Sequence, residues 1–287
     1  MTPNLRGSLF MVAAMAGFAV EDMFLKAASR SLPVGQAILV IGLVGTLVFA
    51  GFARLAGDPA LPRAVLSRTM ALRSGFEVVG RLFYALAVAL TPISTASAIL
   101  QATPLVVVLG AALIFGEKVG LGRWLIILAG FVGVLIILRP GGAGFSALSL
   151  LALIAMAGFA GRDLATRAAP PALSNAQLGV AGFAMLTLSG LIIVVVTGDP
   201  VLPGLVLPDP TGLALLAGAS AFGIAAYAAL TQAMRSGQGA VVTPFRYTRL
   251  LFALAIGITV FGERPDAATL AGSALIVACG VVLLSRR

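Results

Sequence analysis

Apolar residues gather into ten stretches along the 287-residue chain, and short runs rich in Pro, Gly and charged residues separate them. Each stretch is about 18 to 24 residues long, which is the length that an α-helix needs to cross a bilayer. Clusters of proline and glycine end helices, so the stretches are predicted as separate spans of an all-α polytopic membrane protein. Spans one to ten cover residues 7–27, 34–55, 69–90, 93–115, 121–138, 147–167, 174–197, 211–234, 239–261 and 267–284.

The composition agrees with this prediction. Hydrophobic residues make up 60% of the chain, charged residues make up 10%, and the mean hydropathy is +1.10. A soluble domain needs roughly 25% charged residues to cover its surface. The first apolar stretch lacks a convincing small-residue cleavage site, so we expect it to stay in the protein as a membrane span.

The chain contains an internal repeat. Residues 14–28 have the sequence AMAGFAVEDMFLKAA, residues 155–169 have AMAGFAGRDLATRAA, and most positions are identical at an offset of 141. The triplet Phe-Gly-Glu follows span four at 115–117 and span nine at 261–263. Spans one to five therefore correspond to spans six to ten. The predicted repeats are residues 1–141 and 142–287, within one integrated membrane domain.

An odd number of spans in each repeat predicts that the two copies lie in opposite orientations in the membrane. Inverted repeats of this kind are common in secondary transporters, which place the binding site between the repeats near the midplane. The excess of loop Lys and Arg predicts that both termini are in the cytoplasm. The side with the termini holds Arg6, Arg54, Arg63, Arg68, Arg73, Lys118, Arg123, Arg167, Arg235, Arg286 and Arg287. The other side holds Lys26, Arg30, Arg139 and Arg264.

Several classes of function are excluded by what the sequence lacks. The net charge of +9 comes from scattered loop residues, so nucleic acid is not a predicted partner. There is no histidine and only one cysteine, Cys279, which argues against a metal centre. Without a phosphate-binding loop or a G-x-S-x-G motif, no enzyme activity and no cofactor are predicted. The expected partners are a small-molecule substrate and the lipid bilayer, and an oligomer is not required.

Two five-helix repeats, each with G-F-A-x-x-D in its first helix and F-G-E after its fourth, resemble the EamA domains of the drug/metabolite transporter superfamily. The resemblance covers nearly the whole chain. The length and the polar first helix look most similar to bacterial amino-acid exporters of the YddG type. The resemblance implies an inner-membrane transporter with a central, largely apolar cavity. With one Trp and three Tyr in the chain, a dedicated aromatic cage is not expected.

Span nine contains the most unusual charges. Arg246 and Arg249 are three residues apart and share a helix face, and both lie deep in the span, where a guanidinium is costly in lipid. Either they bind a substrate carboxylate, for which the planar guanidinium is suited, or they pair with Asp22, Glu77 or Asp163 and lock the bundle. Arg246 is the better ligand candidate because it follows Pro244, which weakens the helix.

Further polar residues fall in spans one, three, four and six. Glu77 and Arg81 are spaced to form an intrahelical pair. In span one, Glu21 is expected to meet a substrate ammonium or a proton, with salt bridging to Lys26 or Arg81 as the structural alternative. Asp22 is expected to be structural because the second repeat has the same aspartate.

These patterns predict a cavity lined by spans one, three, four, six, eight and nine. The predicted substrate-binding residues are Glu21, Tyr84, Gln101, Tyr227, Arg246 and Tyr247. The possible structural or gating charges are Asp22, Glu77, Arg81, Arg162, Asp163 and Arg249. By the repeat alignment, Gln101 corresponds to Tyr247, so these two residues are expected to face each other.

The predicted function is export of amino acids and related small metabolites by alternating access. A multidrug, quaternary-ammonium or nucleotide-type transporter of the same superfamily is the alternative. A membrane-embedded enzyme or receptor subunit is the hypothesis from another class, and the two-sided symmetry argues against it.

Overall fold

The computed structural model describes residues 1–116, 120–139, 146–167, 173–197, 208–236 and 239–285, and these ranges form a helical bundle. The predicted repeat boundary at 141/142 lies outside them. A short 3-10 helix, Arg63–Leu66, precedes the third helix, and a second one, Thr243–Tyr247, lies inside span nine. The α-helices are α1 Pro3–Ala28, α2 Val34–Leu55, α3 Arg68–Leu90, α4 Ile93–Leu100, α5 Thr103–Phe115, α6 Leu121–Leu138, α7 Ser149–Arg167, α8 Asn175–Thr197, α9 Pro210–Ser236, α10 Gly239–Val242, α11 Thr248–Phe261 and α12 Ala267–Ser285.

Helix ends follow local sequence signals. At the start of α3, the Ser67 hydroxyl oxygen accepts a hydrogen bond from Met70 N at 3.3 Å, which satisfies one of the free amides of the first turn. Helices α5 and α11 end at equivalent glycines, Gly116 and Gly262, each with a φ of 65°. Glycine adopts this left-handed conformation without strain, which explains its place in both Phe-Gly-Glu triplets. Glu117 of the first triplet lies outside the described residues.

Spans four and nine are each broken near their middles. Span four turns at Gln101 and Ala102 between α4 and α5, and span nine passes through the 3-10 segment Thr243–Tyr247. Pro104 and Pro244 lie at these breaks. Proline donates no backbone hydrogen bond and its ring clashes with the carbonyl four residues earlier. Irregular backbone at membrane depth is tolerated where it is buried in protein or lines a cavity, so the breaks mark the site.

Seven segments of the described chain are long and apolar enough to cross a membrane, which identifies an all-helical membrane protein. Helices α3 and α7 are not among the seven, and in α12 the apolar stretch Ala267–Leu283 is shorter than the others. Helices α3 and α7 do not meet the criterion of apolar composition because both carry several charged residues. The seven segments are α1, α2, the α4–α5 pair, α6, α8, α9 and the 3-10 segment with α11.

The helices pair in a pattern with twofold symmetry. Helix α1 packs along α9, α3 along α7, α2 along α8, and α6 along α12. If the two repeats are exchanged, α1 takes the place of α7 and α3 takes the place of α9, so the α1–α9 pair becomes the α7–α3 pair. The α2–α8 and α6–α12 pairs are each exchanged onto themselves. Thr46 and Thr187, which are 141 residues apart, face each other with their hydroxyl oxygens at 3.5 Å. The spacing equals the offset of the sequence repeat, so the approximate axis passes near this contact.

The α2–α8 contact depends on glycine, which gives a first prediction. A Cβ added at Gly42 would lie 2.8 Å from Thr187 Cα, a backbone atom that cannot move aside, whereas a Cβ at Gly51 of the same helix would meet nothing within 4 Å. We expect Gly42→Ala to destabilise the protein by about 1–3 kcal/mol through overpacking. Gly51→Ala is the control, and its helix propensity favours it by up to about 1 kcal/mol.

Thermal unfolding in detergent measures the difference between the two variants. The single tryptophan of the chain, Trp124, serves as the fluorescent probe. Equal melting temperatures for Gly42→Ala and Gly51→Ala would contradict the close helix contact.

Candidate functional site

A central cavity of about 150 Å³ lies among helices from both halves. It is lined by every site residue predicted from the sequence except Glu77, which lies behind its wall. The spans expected to form the walls all contribute, and span seven adds Leu186, which the sequence analysis did not include. The lining residues are Met15, Phe18, Glu21, Asp22, Leu25, Arg81, Tyr84, Ala85, Leu100, Gln101, Thr103, Pro104, Phe159, Arg162, Asp163, Leu186, Tyr227, Leu230, Arg246, Tyr247 and Arg249.

Glu77 lies at the centre of three arginines. Its side chain is completely buried, with Arg73 Nη1 at 3.0 Å from Oε2 and Arg81 Nε donating to Oε1 at 3.2 Å. Arg162 Nη1, from α7, lies 3.8 Å from the same Oε1. A buried carboxylate needs such partners because its desolvation is costly. Arg73 was wrongly placed among the loop charges, since it lies buried within α3 as one of these partners.

Asp22 is held by two donors from different helices. Arg249 Nη2 donates to Asp22 Oδ2 at 2.6 Å, and the Tyr84 hydroxyl donates to the same oxygen at 2.9 Å. The Tyr84 hydroxyl also lies 3.3 Å from Ser97 Oγ. The Arg249 guanidinium sits over the rings of Tyr84 and Phe18, at 5.0 and 5.3 Å from their centroids. These residues connect α1, α3, α4 and α11. The charge of Arg249 is therefore already paired within the protein.

Asp163 is the repeat counterpart of Asp22, but its contacts differ. Arg162, the adjacent residue, donates to Asp163 Oδ1 from Nε at 3.0 Å and from Nη2 at 2.8 Å. The Arg162 guanidinium also lies over the Phe159 ring, 4.9 Å from its centroid. Arg246 Nη1 is 3.7 Å from Asp163 Oδ2, which is beyond hydrogen-bond distance. Asp163 is thus largely neutralised by its own neighbour in sequence.

Arg246 is the least engaged of the arginines in this cluster. Among the described residues, its guanidinium has neither a carboxylate at hydrogen-bond distance nor an aromatic ring beneath it. Its side chain is 29% exposed, against 14% for Arg249, 18% for Arg162 and 13% for Arg81. A guanidinium that faces an open cavity with one distant counter-charge is available to an anionic ligand.

Glu21 is a carboxylate of the cavity that, like Arg246, has no close partner of opposite charge in the described part of the chain. Of the two partners considered for it, Lys26 donates to backbone carbonyls and lies 3.9 Å from Glu263, and Arg81 is bonded to Glu77. A Cβ added at Gly223 would come within 2.6 Å of Glu21 Oε1, so the carboxylate lies directly against α9. Glu21 therefore presents a negative charge or a proton-accepting group to the cavity.

Aromatic side chains form much of the wall. All three tyrosines of the chain line the cavity, together with Phe18 and Phe159. The phenylalanines occupy equivalent positions of the two repeats, at the offset of 141, and the sequence analysis missed both of them. The repeated Gly-Phe-Ala was the signal for them. The cavity is therefore more aromatic than the low aromatic content of the chain suggested.

The hydroxyls of the remaining two tyrosines differ. Tyr227 donates to Leu178 O at 2.9 Å, so its hydroxyl is used within the protein. The Tyr247 hydroxyl is buried against Gly280 and has no hydrogen-bond partner in the described ranges. Gln101 Nε2 donates to Arg246 O at 3.1 Å, which ties the break in span four to the break in span nine. The repeat alignment paired Gln101 with Tyr247. In the structure, Gln101 is bonded to the backbone of the preceding residue, Arg246.

Two equivalent halves of a membrane bundle around a charged, partly aromatic cavity define a transporter of small molecules. The chain belongs to the EamA-like transporter family, whose sequence signature matches residues 5–139 and again residues 143–286. The predicted resemblance to the EamA domains of the drug/metabolite transporter superfamily is therefore confirmed at the level of the family. It places the protein among secondary transporters of small metabolites and not among enzymes.

Named relatives carry different substrates. The riboflavin transporter of Vibrio cholerae is 28% identical over 277 residues, which cover 95% of this chain and 91% of the relative. The pseudopaline exporter CntI of Pseudomonas aeruginosa is 28% identical over 281 residues, which cover 96% of this chain and 95% of the relative. The S-adenosylmethionine uptake transporter of Rickettsia prowazekii is 24% identical over 188 residues, which cover 66% and 62%. A protein of known crystal structure shares the fold with a TM-score of 0.61 at 19% identity, covering 98% of each chain.

Proposed function

We propose that this protein is a secondary transporter of the bacterial inner membrane, similar to the YddG-type exporters, that exports amino acids and related small metabolites. Alternating access would expose the central cavity first to one side of the membrane and then to the other. The odd number of spans in each repeat, the twofold pairing of the helices and the loop charges support inverted halves with both termini in the cytoplasm.

Arg246 carries the proposal. A substrate carboxylate would form the paired hydrogen bonds that the guanidinium lacks in the described structure, where Asp163 Oδ2 lies 3.7 Å away. Its backbone carbonyl is held by Gln101, so the residue is positioned from both halves. The other arginines of the site are already bound to Glu77, Asp22 or Asp163, and these pairs give the cavity its shape.

Glu21 would meet a substrate ammonium group or carry a proton. The carboxylate lies against Gly223 on the α1–α9 side of the cavity and has no bound cation among the described residues. Tyr84, Gln101, Tyr227 and Tyr247 would shape the space between the two charged ends. Asp22, Glu77, Arg81, Arg162, Asp163 and Arg249 would maintain the bundle.

A second candidate is a transporter of a larger ring-containing metabolite. The five aromatic side chains of the wall favour this class, and the chain is similar to relatives named for riboflavin and S-adenosylmethionine. A multidrug transporter would rely on Glu21 more than on Arg246, because its substrates are cations.

Uptake into proteoliposomes tests the proposal. The panel holds radiolabelled amino acids, riboflavin and one quaternary ammonium compound, with Arg246→Ala and Glu21→Gln beside the parent. We expect saturable amino-acid flux whose kcat/KM falls at least about 30-fold in Arg246→Ala, the effect of removing one partner of a buried charge pair. Arg54→Ala, which removes an exposed arginine of α2, is the matched control and should leave flux unchanged.

Three outcomes would count against the assignment. Undiminished amino-acid flux in Arg246→Ala would make Arg246 a structural residue. No amino-acid flux in the parent, together with flux of the ammonium compound that Glu21→Gln abolishes, would identify a transporter of cationic compounds. Flux of riboflavin alone would favour the ring-containing class.

A further inference from the structure

The second Phe-Gly-Glu triplet makes contacts that lie outside the central cavity. Gly262 ends α11 in the left-handed conformation, and Glu263 then reaches to the start of α4, in the other half of the protein. Lys26, in the last turn of α1, lies at the same end of the bundle, with its Nζ 3.9 Å from Glu263 Oε1. Glu263 and Lys26 are 10% and 14% exposed, so both charges are largely removed from water.

Glu263 caps a helix that has no cap of its own. The N-cap position of α4 is Pro92, whose side chain cannot accept a hydrogen bond. Glu263 Oε1 accepts from Ile93 N at 2.7 Å, and Oε2 accepts from Ser94 N at 3.1 Å and from Ser94 Oγ at 2.6 Å. The carboxylate therefore satisfies the first free amides of the helix and complements the positive end of its dipole.

Lys26 binds the chain just before this helix. Its Nζ donates to Val88 O at 3.1 Å and to Thr91 O, the carbonyl groups at the end of α3. The ammonium also lies 5.5 Å from the centroid of the Phe261 ring, which is the first residue of the triplet. One cation and one carboxylate therefore fasten the α3–α4 corner to α1 and to the end of α11. We call Lys26 and Glu263, with the groups they bind, the corner latch.

Helix α4 is a short segment that is separate from its neighbours in the chain. It is separated from α3 by Pro92 and from α5 by the turn at Gln101. Ser94, Ser97 and Gln101 follow one another at three and four residues, so they share a face. Ser94 binds Glu263, Ser97 lies 3.3 Å from the Tyr84 hydroxyl, and Gln101 binds Arg246 O. The same face thus connects the corner latch to the cavity and to the proposed substrate arginine.

We propose that Glu263 and Lys26 are positioning residues for transport, which hold α4 closed over the end of the cavity that lies away from the N-terminus. Opening of that end requires the Glu263 bonds to α4 to break. Binding of a ligand at Arg246 would be coupled to the corner latch through the contacts of Gln101 and α4. The proposal rests on alternating access, and it does not depend on which substrate is carried.

Cysteine labelling tests the latch without any substrate. Leu100, which lines the cavity and is 7% exposed, is replaced by Cys in a Cys279→Ala background, and a membrane-impermeant maleimide is added to either side of oriented vesicles. We expect Glu263→Ala to raise labelling from the side opposite the N-terminus on the order of tenfold, the population change that follows loss of one charge-assisted hydrogen bond. Labelling from the side of the N-terminus should fall at the same time. Glu263→Gln, which keeps an acceptor, should give an intermediate rate.

Asp266→Asn is the matched control. Asp266 lies three residues beyond Glu263 and is paired with Arg139, whose hydrogen bond lowers the pKa of the Asp266 carboxyl to about 2. The side chains of Arg139 and Asp266 are much more exposed than those of Lys26 and Glu263. Neither Arg139 nor Asp266 has a hydrogen bond to α4 in the described structure. Removing this negative charge should leave labelling from both sides unchanged.

The result that overturns the proposal is labelling in the Glu263 variants that equals the parent, or that rises equally from both sides. An equal rise would indicate general loosening. If Glu263→Ala does not fold, Glu263→Gln and Lys26→Met carry the same test. Because the assay contains no substrate, a failure of amino-acid transport in the proteoliposomes leaves its result intact.

Discussion

Glu77→Gln is expected to lower the stability of the folded protein by about 3–5 kcal/mol, because it leaves buried arginines without their counter-charge. Glu77 is completely buried and has Arg73, Arg81 and Arg162 around it, with nitrogen–oxygen distances of 3.0, 3.2 and 3.8 Å. The amide keeps the shape and one acceptor but removes the negative charge. Of these arginines, Arg162 keeps its hydrogen bonds to Asp163, so the cost falls mainly on the two from α3.

Glu21→Gln provides a control with the same chemical change. Glu21 has no ion pair among the described residues, so neutralising it removes no bound partner, and the effect on stability should be within about 0.5 kcal/mol. Denaturation in detergent, followed through Trp124, measures both variants. Equal stability of Glu77→Gln and Glu21→Gln would contradict the arrangement of three arginines around one carboxylate. If Glu77→Gln yields no folded protein, Glu77→Asp, which keeps the charge on a shorter side chain, should restore part of the stability.

The second large effect is expected at the pair of Asp22 and Arg249. Their side chains are 6% and 14% exposed, and Arg249 Nη2 donates to Asp22 Oδ2 at 2.6 Å. Asp22→Asn leaves the Arg249 guanidinium without its bound anion, and Arg249→Gln leaves the Asp22 carboxylate with Tyr84 as its remaining donor. Each single change should cost about 2–4 kcal/mol, since a buried charge that loses its partner is strongly destabilising.

The double variant separates the charge pair from the rest of the site. Asp22→Asn with Arg249→Gln removes both charges, so its cost should be smaller than the sum of the two single costs by about 0.5–3 kcal/mol. The same cycle on Asp22 and Arg81, which are not bonded to each other, should be additive. Additive costs for Asp22 and Arg249 would mean that the contact at 2.6 Å contributes nothing to stability.

A good part of the architecture follows from sequence alone. The length and spacing of the apolar stretches identified the helices, because a membrane span must satisfy its backbone internally over about 20 residues. The repeat at an offset of 141 predicted equivalent halves, and Thr46 and Thr187 meet at that spacing. Charge is scarce in the apolar spans, so each Arg, Asp and Glu within them is conspicuous in the sequence itself, and most of these residues line the cavity.

The sequence indicated a weakened helix at Pro244, but it predicted neither the break in span four nor the 3-10 segment in span nine. A proline inside a membrane helix is compatible with a kink or with an interruption, and the neighbouring helices decide which occurs. The aromatic wall was missed for a related reason. Phe18 and Phe159 are ordinary apolar residues by composition, and only packing turns them toward the cavity.

The partners of the charges were decided by tertiary structure. By sequence, Arg246 and Arg249 were equal candidates for Asp22, Glu77 or Asp163, since each could meet any of these across the bundle. The fold binds Arg249 to Asp22 at 2.6 Å and leaves Arg246 at 3.7 Å from Asp163, which Arg162 already neutralises. The contact of Glu263 with α4 joins residues 170 positions apart in the chain, and no local pattern encodes it. The sequence determined which positions of the membrane spans carry charge, because the cost of placing a charged side chain in lipid applies to each residue separately. The fold determined which charges stay available, because pairing depends on distances of a few ångströms between segments that are remote in the chain.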